Sequence, residues 1–179
     1  MKRWTLCATA GLALAGCATY ETDEVGSDTP GAAMASAELR DASGRVTGSA
    51  TASQVGDSIR IRIDGRNLPS GAHGAHIHQT GICAAPDFAS AGPHWNPTQR
   101  KHGKDNPAGM HHGDLPNVLI GANGEGSLEY TIPGARLADG GAAMLDGDGA
   151  SIVIHATADD YRTDPSGNSG GRIACGVFR

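Results

Sequence analysis

Hydrophobic residues recur along much of this chain with a period of two. Ile59, Ile61 and Ile63 alternate with Arg60, Arg62 and Asp64, which sets the isoleucines on the buried face of an extended strand and the charges in water. Leu128, Tyr130 and Ile132 repeat the alternation, and Asn123-Gly124 just upstream supplies residues that tolerate positive φ, as a tight hairpin requires. In a further strand Val153 and His155 share one face, and Ile152 and Ile154 the other. Short strands, frequent turn signals and no sustained helical period predict an all-β sandwich or barrel. Residues 80–116 and 157–171 break the pattern. They are rich in Gly, Pro, Asn, Asp and His, and loops of that length in a compact domain are functional or disordered.

Composition agrees with strands and turns. Gly accounts for 27 of 179 residues and aromatics for only 4%, which disfavours a helical bundle. The length suits one domain, and a net charge of −5 argues against a nucleic-acid partner. The N-terminus reads as a processing signal: Lys2 and Arg3 precede an apolar run, Trp4 to Ala15, too short for a comfortable membrane span. Leu14-Ala15-Gly16-Cys17 resembles the bacterial lipobox, which implies a lipoprotein signal peptide over 1–16 and a lipidated Cys17. Residues 17–34 then form a flexible polar spacer, and 35–179 the folded domain. The expected location is outside the cytoplasm, anchored to a membrane and facing the periplasm or cell surface. With Cys7 removed and Cys17 carrying lipid, Cys83 and Cys175 remain as one pair in an oxidising compartment.

The histidines carry the chemistry. His76 and His78 lie two apart, so on a strand both imidazoles leave the same face. His94, His102 and His111 follow at intervals of eight and nine residues, Asp114 stands three further on, and His155 closes a late strand. Seven such donors exceed what one ion needs. Imidazole suits copper and zinc, and a carboxylate among imidazoles suits tetrahedral zinc.

Five blocks make the pattern recognisable: His73-Gly74-Ala75-His76-Ile77-His78, Ser90-Ala91-Gly92-Pro93-His94-Trp95-Asn96-Pro97, Arg100-Lys101-His102-Gly103, His111-His112-Gly113-Asp114-Leu115 and Gly171-Arg172-Ile173-Ala174-Cys175-Gly176-Val177. Together, over residues 35–179, they resemble the copper/zinc superoxide dismutases. The resemblance implies an eight-stranded Greek-key β-barrel or sandwich with two long functional loops. It implies dismutation of superoxide to oxygen and hydrogen peroxide by copper redox cycling. By it His76, His78, His94 and His155 hold copper, and His94, His102, His111 and Asp114 hold zinc, with His94 the bridging imidazolate. Asp159 falls where the family links a copper-site histidine to a zinc-site one, here His76 and His102. Arg172, with His94, becomes a catalytic residue, drawing the anion to copper. Cys83 and Cys175 take the place of the family's disulfide, and the resemblance admits a homodimer.

Some positions depart from the family or stay unassigned. Cys83 stands eleven residues before His94, so its match rests on role rather than spacing. Residues 156–171 are shorter than the charged guiding loop of the animal enzymes, and Lys101, Lys104 and Arg162 are all candidate guiding cations. Ser166 is a weak match for a channel hydroxyl. His73 is expected to be structural, and His112 to be a solvated side chain. A protein that stores or scavenges copper and zinc on the same fold is the alternative, although it has no need of Arg172 or Asp159.

Overall fold

The computed structural model describes residues 33–179. The expected signal peptide, Cys17 and nearly all of the expected spacer lie outside the described residues. Within them the chain forms nine strand segments: β1 (Met34–Arg40), β2 (Val46–Val55), β3 (Ser58–Gly65), β4 (Gly71–His73), β5 (Ala75–His78), β6 (Val118–Ile120), β7 (Gly126–Ile132), β8 (Ser151–His155) and β9 (Arg172–Val177). β4 and β5 are one extended run interrupted at Gly74. Counted as one strand they give the eight that the family resemblance implies.

The first three strands form a meander, with β1 antiparallel to β2 and β2 to β3. The alternation read from the sequence sets its faces. Ile59, Ile61 and Ile63 have no exposed surface, while Arg60 and Arg62 point to solvent. Burying each isoleucine stabilises the fold by about 1.5–3 kcal/mol. The opposing core positions of β1 and β2 are small, with Ala35, Ala37, Ala50 and Ala52 around Leu39. This lets the curled sheet close tightly with few aromatic residues.

The seven-stranded sheet runs β5-β8-β9-β1-β2-β3-β7, and β4 pairs separately with β6. β6 turns into β7 through Gly121–Glu125, where Gly124 adopts φ 79° and the Gly121 N–H donates to Glu125 O at 2.8 Å. The run that pairs with β8 as β5 therefore pairs with β6 as β4, and it links the two edges of the curled sheet. β8 shows the two-faced character expected of it: Ile152 and Ile154 enter the main core, while Val153 packs with Phe88, Ala91 and Cys175 in a smaller cluster outside it.

Residues 79–117 and 156–171 are the long connections next to the histidines, in agreement with the sequence pattern. A third, 133–150, carries no comparable signal in the sequence. Its apolar residues Ala135, Leu137 and Met144 pack into the main core, so it serves as a plug rather than as part of the site.

Candidate metal centre

β5 alternates between core and site. Ala75 and Ile77 belong to the main core, which sends His76 and His78 to the opposite face. The long loop then returns twice to this strand and ties itself there through backbone bonds. Trp95 N–H donates to Ile77 O at 2.8 Å, Gly113 N–H to Trp95 O at 2.9 Å, and Ile77 N–H to Gly113 O at 2.9 Å. The resulting bridges set His78 opposite His94 and His76 opposite Asp114. Gly113 is required for this approach, because a Cβ there would lie 2.3 Å from Ile77 O. His155 arrives from β8 after a register shift at Ile154/His155, and its N–H donates to Gly74 O at 2.8 Å. Four separate chain segments are thus fixed by backbone geometry before any side chain chooses a rotamer.

The side chains fall into two adjoining groups, His76, His78, His94 and His155, and His94, His102, His111 and Asp114. Their candidate donor atoms lie within 4.8 Å of one another in each group, and every member is buried. In the first group one ring nitrogen of each histidine is engaged and the other is left bare. His76 Nε2 meets Asp159 Oδ2 at 2.7 Å, His78 Nδ1 meets Gly92 O at 2.8 Å and His155 Nδ1 meets Gly170 O at 3.1 Å. Among the described residues, the buried side-chain nitrogens and oxygens without a hydrogen-bond partner are Thr47 Oγ1, His76 Nδ1, His78 Nε2 and His155 Nε2. A lone unsatisfied buried nitrogen costs free energy, whereas three at one place form a ligand set, each oriented by a bond on its far side.

In the second group the Nδ1 atoms of His94, His102 and His111 lie 2.9, 3.0 and 3.0 Å from Asp114 Oδ1, and the Nδ1 atoms of His94 and His111 are 3.3 Å apart. A tetrahedral ion about 2.0–2.1 Å from each donor needs donor separations of about 3.3 Å, so the spacing fits such an ion. Asp114 is held in place through its other oxygen, which accepts from Gly103 N–H at 2.8 Å and His111 N–H at 3.0 Å. His94 turns Nδ1 toward this group and keeps Nε2 for the first. Its ring centroid is 4.1 Å from that of His76 and 4.9 Å from that of His78.

Protonation differs between the two groups. Burial lowers the pKa of His76 to about 3, of His78 to about 2 and of His155 to about 4, so these imidazoles keep a free lone pair at neutral pH. Burial also lowers that of His94. For His102 burial pulls downward too, but carboxylate bonds on both ring nitrogens, to Asp114 and Asp159, outweigh it and raise the value to about 9. Burial would raise both carboxylates. The imidazole hydrogen bonds win, and Asp114 and Asp159 stay below the usual carboxylate range.

Asp159 lies between the groups, with Oδ2 on His76 and Oδ1 3.1 Å from His102 Nε2. Residues that the sequence did not flag hold it there. Asn117 Oδ1 accepts the Asp159 N–H at 2.8 Å and Asn117 Nδ2 donates to Asp159 O at 3.0 Å. Tyr161 N–H donates to Asp159 Oδ1 at 2.6 Å, and the Tyr161 hydroxyl accepts from Asn117 N–H. No local signal marks Asn117, because its contacts with Asp159 and Tyr161 span 42 and 44 residues of chain.

Arg172 opens β9 beside the first group. Its two terminal nitrogens donate to Phe88 O at 2.6 Å and to Gly92 O at 2.8 Å, and Gly92 O is the same carbonyl that orients His78. The loop supplying these carbonyls is tethered by the disulfide between Cys83 and Cys175, with α-carbons 5.7 Å apart. A cleft of about 810 Å3 gives access to Arg172, His78, His94 and His155, and Ser166 lies on its wall. His73 is structural in its contacts, with ring nitrogens 2.8 Å from His155 O and 2.8 Å from Pro69 O. His112 departs from the solvated side chain expected of it: it is half-buried, edge-on to Trp95 at 5.2 Å, and belongs to neither donor group.

Comparison with known proteins gives this arrangement a family. A Bacillus subtilis superoxide dismutase-like protein, YojM, is 45% identical over 124 residues, which is 68% of this chain and 63% of that protein. The match thus spans less than two thirds of that relative. A Cu-Zn superoxide dismutase of Caulobacter vibrioides is 38% identical over 148 residues, covering 81% of this chain and 85% of the relative. Among solved structures, a SOD-like protein from Bacillus subtilis superimposes with a TM-score of 0.75 at 40% identity, covering 79% of this chain and 96% of that one. The family model described as copper/zinc superoxide dismutase matches residues 44–178. On this match, together with a curled antiparallel barrel that brings two donor groups to a shared histidine, the chain belongs to the copper/zinc superoxide dismutase family.

Proposed function

We propose that this protein dismutes superoxide, with copper held by His76, His78, His94 and His155, and zinc by His94, His102, His111 and Asp114. The observation that carries the reading is the convergence of three bare, buried imidazole nitrogens beside a histidine shared with a tetrahedral donor set. Copper would supply one-electron cycling, and zinc a fixed charge that has no redox change. Within the protein, His94 Nε2 is the atom able to take up and release a proton on the copper side while Nδ1 stays on the Asp114 side. Asp159 keeps the His76 and His102 rings in register, so the two groups act as one unit. Arg172, locked by two carbonyls, presents a guanidinium whose place at the cleft suits capture of a small anion. Removing Lys2 and Arg3 with the signal peptide takes the net charge from −5 to −7, so attraction of an anion has to be local.

A metal-storage protein is the second reading, because one relative is named only as dismutase-like. Storage has no use for a guanidinium fixed between Phe88 O and Gly92 O. The test is metal analysis of the purified chain together with superoxide decay by pulse radiolysis. One copper and one zinc per chain with fast decay, abolished in His155→Ala, supports the dismutase. Full metal loading without catalysed decay would overturn it in favour of storage. Export and lipidation at Cys17 belong to the same reading, supported by the lipobox-like Leu14–Cys17 and by a disulfide of the kind that persists in oxidising compartments.

A further inference from the structure

We propose that Arg100 is an outer anion-binding cation of this site, a guanidinium that receives the substrate at the mouth of the cleft before Arg172, and that Asp164 withdraws Lys101 from the same task. The inference rests on the dismutase reading for the identity of the anion, and on the geometry of the mouth for the rest.

The basic side chains lining the cleft are Arg100, Lys101 and Arg172, and the carboxylate on its wall is Asp164. Their partners separate them. Arg172 is tied to Phe88 O and Gly92 O and also feels the charge of Asp87. Lys101 Nζ lies 3.0 Å from Asp164 Oδ2, while Asp164 Oδ1 accepts the His102 N–H at 2.8 Å. That carboxylate is therefore pinned, and it cancels the nearest lysine. Lys104 faces Asp105 at 2.9 Å and lies over the Tyr161 ring at 4.4 Å, and Arg162 does not line the cleft.

Arg100 differs from all of these. Among the described residues its guanidinium makes no hydrogen bond or ion pair, and the residue is exposed. Its backbone, by contrast, is locked. Asn96 Oδ1 accepts the Arg100 N–H at 3.0 Å and Asn96 Nδ2 donates to Arg100 O at 2.9 Å. A fixed main chain carrying an uncommitted guanidinium at the rim of an anion site offers two parallel N–H donors to a diatomic or triatomic anion. On a protein of net negative charge such a cation reverses repulsion locally, within a Debye length of about 8–10 Å.

The experiment uses the metal-loaded protein with azide as a stand-in anion, its affinity read from the visible absorption of copper, and superoxide decay measured in parallel at several ionic strengths. Arg100→Gln should weaken azide binding and slow superoxide decay about threefold at low salt, and Arg100→Glu about tenfold, with metal content unchanged and both salt profiles flattened. Arg100→Lys should keep the salt profile while losing part of the azide affinity, since the charge remains and the paired donors do not. Arg60→Gln, the same charge change on the outer face of β3, should leave both quantities within error. Asp164→Asn, which keeps an acceptor for His102 N–H, should free Lys101 and strengthen azide binding about twofold. If Arg100→Gln matches Arg60→Gln, the assignment of Arg100 is overturned. If Asp164→Asn leaves azide affinity unchanged, the masking of Lys101 is overturned. A wild-type protein that catalyses no superoxide decay, yet loses azide affinity on Arg100→Gln, would keep the anion site and reject the dismutase reading.

Discussion

Replacing Cys83 and Cys175 together by alanine should destabilise the metal-free protein by about 4–5 kcal/mol, chiefly through the unfolded chain. The bridge spans 92 residues, and the loop-closure entropy lost from an unfolded chain by a link of that span gives about 4.6 kcal/mol at 25 °C. For a domain of this size that is a fall in melting temperature of about 10–18 °C. Urea unfolding followed by circular dichroism measures it directly. The m-value should rise as well, since an unlinked chain exposes more surface. Wild-type protein in reductant separates the link from the packing: it loses the closure but retains both sulfurs beside Phe88, Ala91 and Val153, so it should show most of the same loss. There is a functional arm too. The tethered loop carries Phe88 O and Gly92 O, which hold the Arg172 guanidinium, so the metal-loaded variant should lose turnover by a larger factor than it loses copper. A stability loss below about 1.5 kcal/mol with an unchanged m-value would refute the entropic argument. Turnover per copper equal to wild type would refute the link to Arg172.

Three further outcomes are expected. Gly167→Ala should strip metal from the site, because its Cβ would lie 1.8 Å from Asp159 Oδ1 and 2.8 Å from His102 Nε2, whereas Gly147→Ala, with nothing within 4 Å, should retain metal; elemental analysis after dialysis compares them. Zinc uptake by the metal-free protein should weaken about tenfold per unit as pH falls below 9, since His102, with its pKa raised to about 9, holds a proton that zinc must displace. His76, His78 and His155, lowered to about 3, 2 and 4, carry almost no proton to displace above pH 5, so copper uptake by the zinc-free protein, in which His94 binds only one metal and loses no ring proton, should be nearly flat from pH 5 to 7; calorimetry in two buffers counts the protons released, and the reverse order would contradict the assignment. Cys17→Ser should move the protein from the membrane to the soluble fraction with its superoxide removal intact, and mass spectrometry of the wild-type N-terminal peptide should show an added lipid.

The parts of this molecule legible in its sequence are those governed by periodicity and by the chemistry of residue types. Alternation put Ile59, Ile61 and Ile63 inward, and the spacing of His76 and His78 placed both imidazoles on one face, because a strand repeats every two residues. The histidines and Asp114 announced metal chemistry by their donor atoms and number. Tertiary structure decided everything that depends on distant segments meeting. The sequence does not show that β4 and β5 are one run changing partners at Gly74, that residues 133–150 plug the core, or that His112 rests on Trp95. Asn117 looks like an ordinary loop residue until the fold brings it to Asp159 and Tyr161. Arg100 and Lys101, adjacent and equally basic in the sequence, become different only when Asp164 arrives from 63 residues away to pair with one of them. A residue's type sets the bonds it is able to form, but which groups come within reach is decided by long-range packing, to which a local pattern is blind.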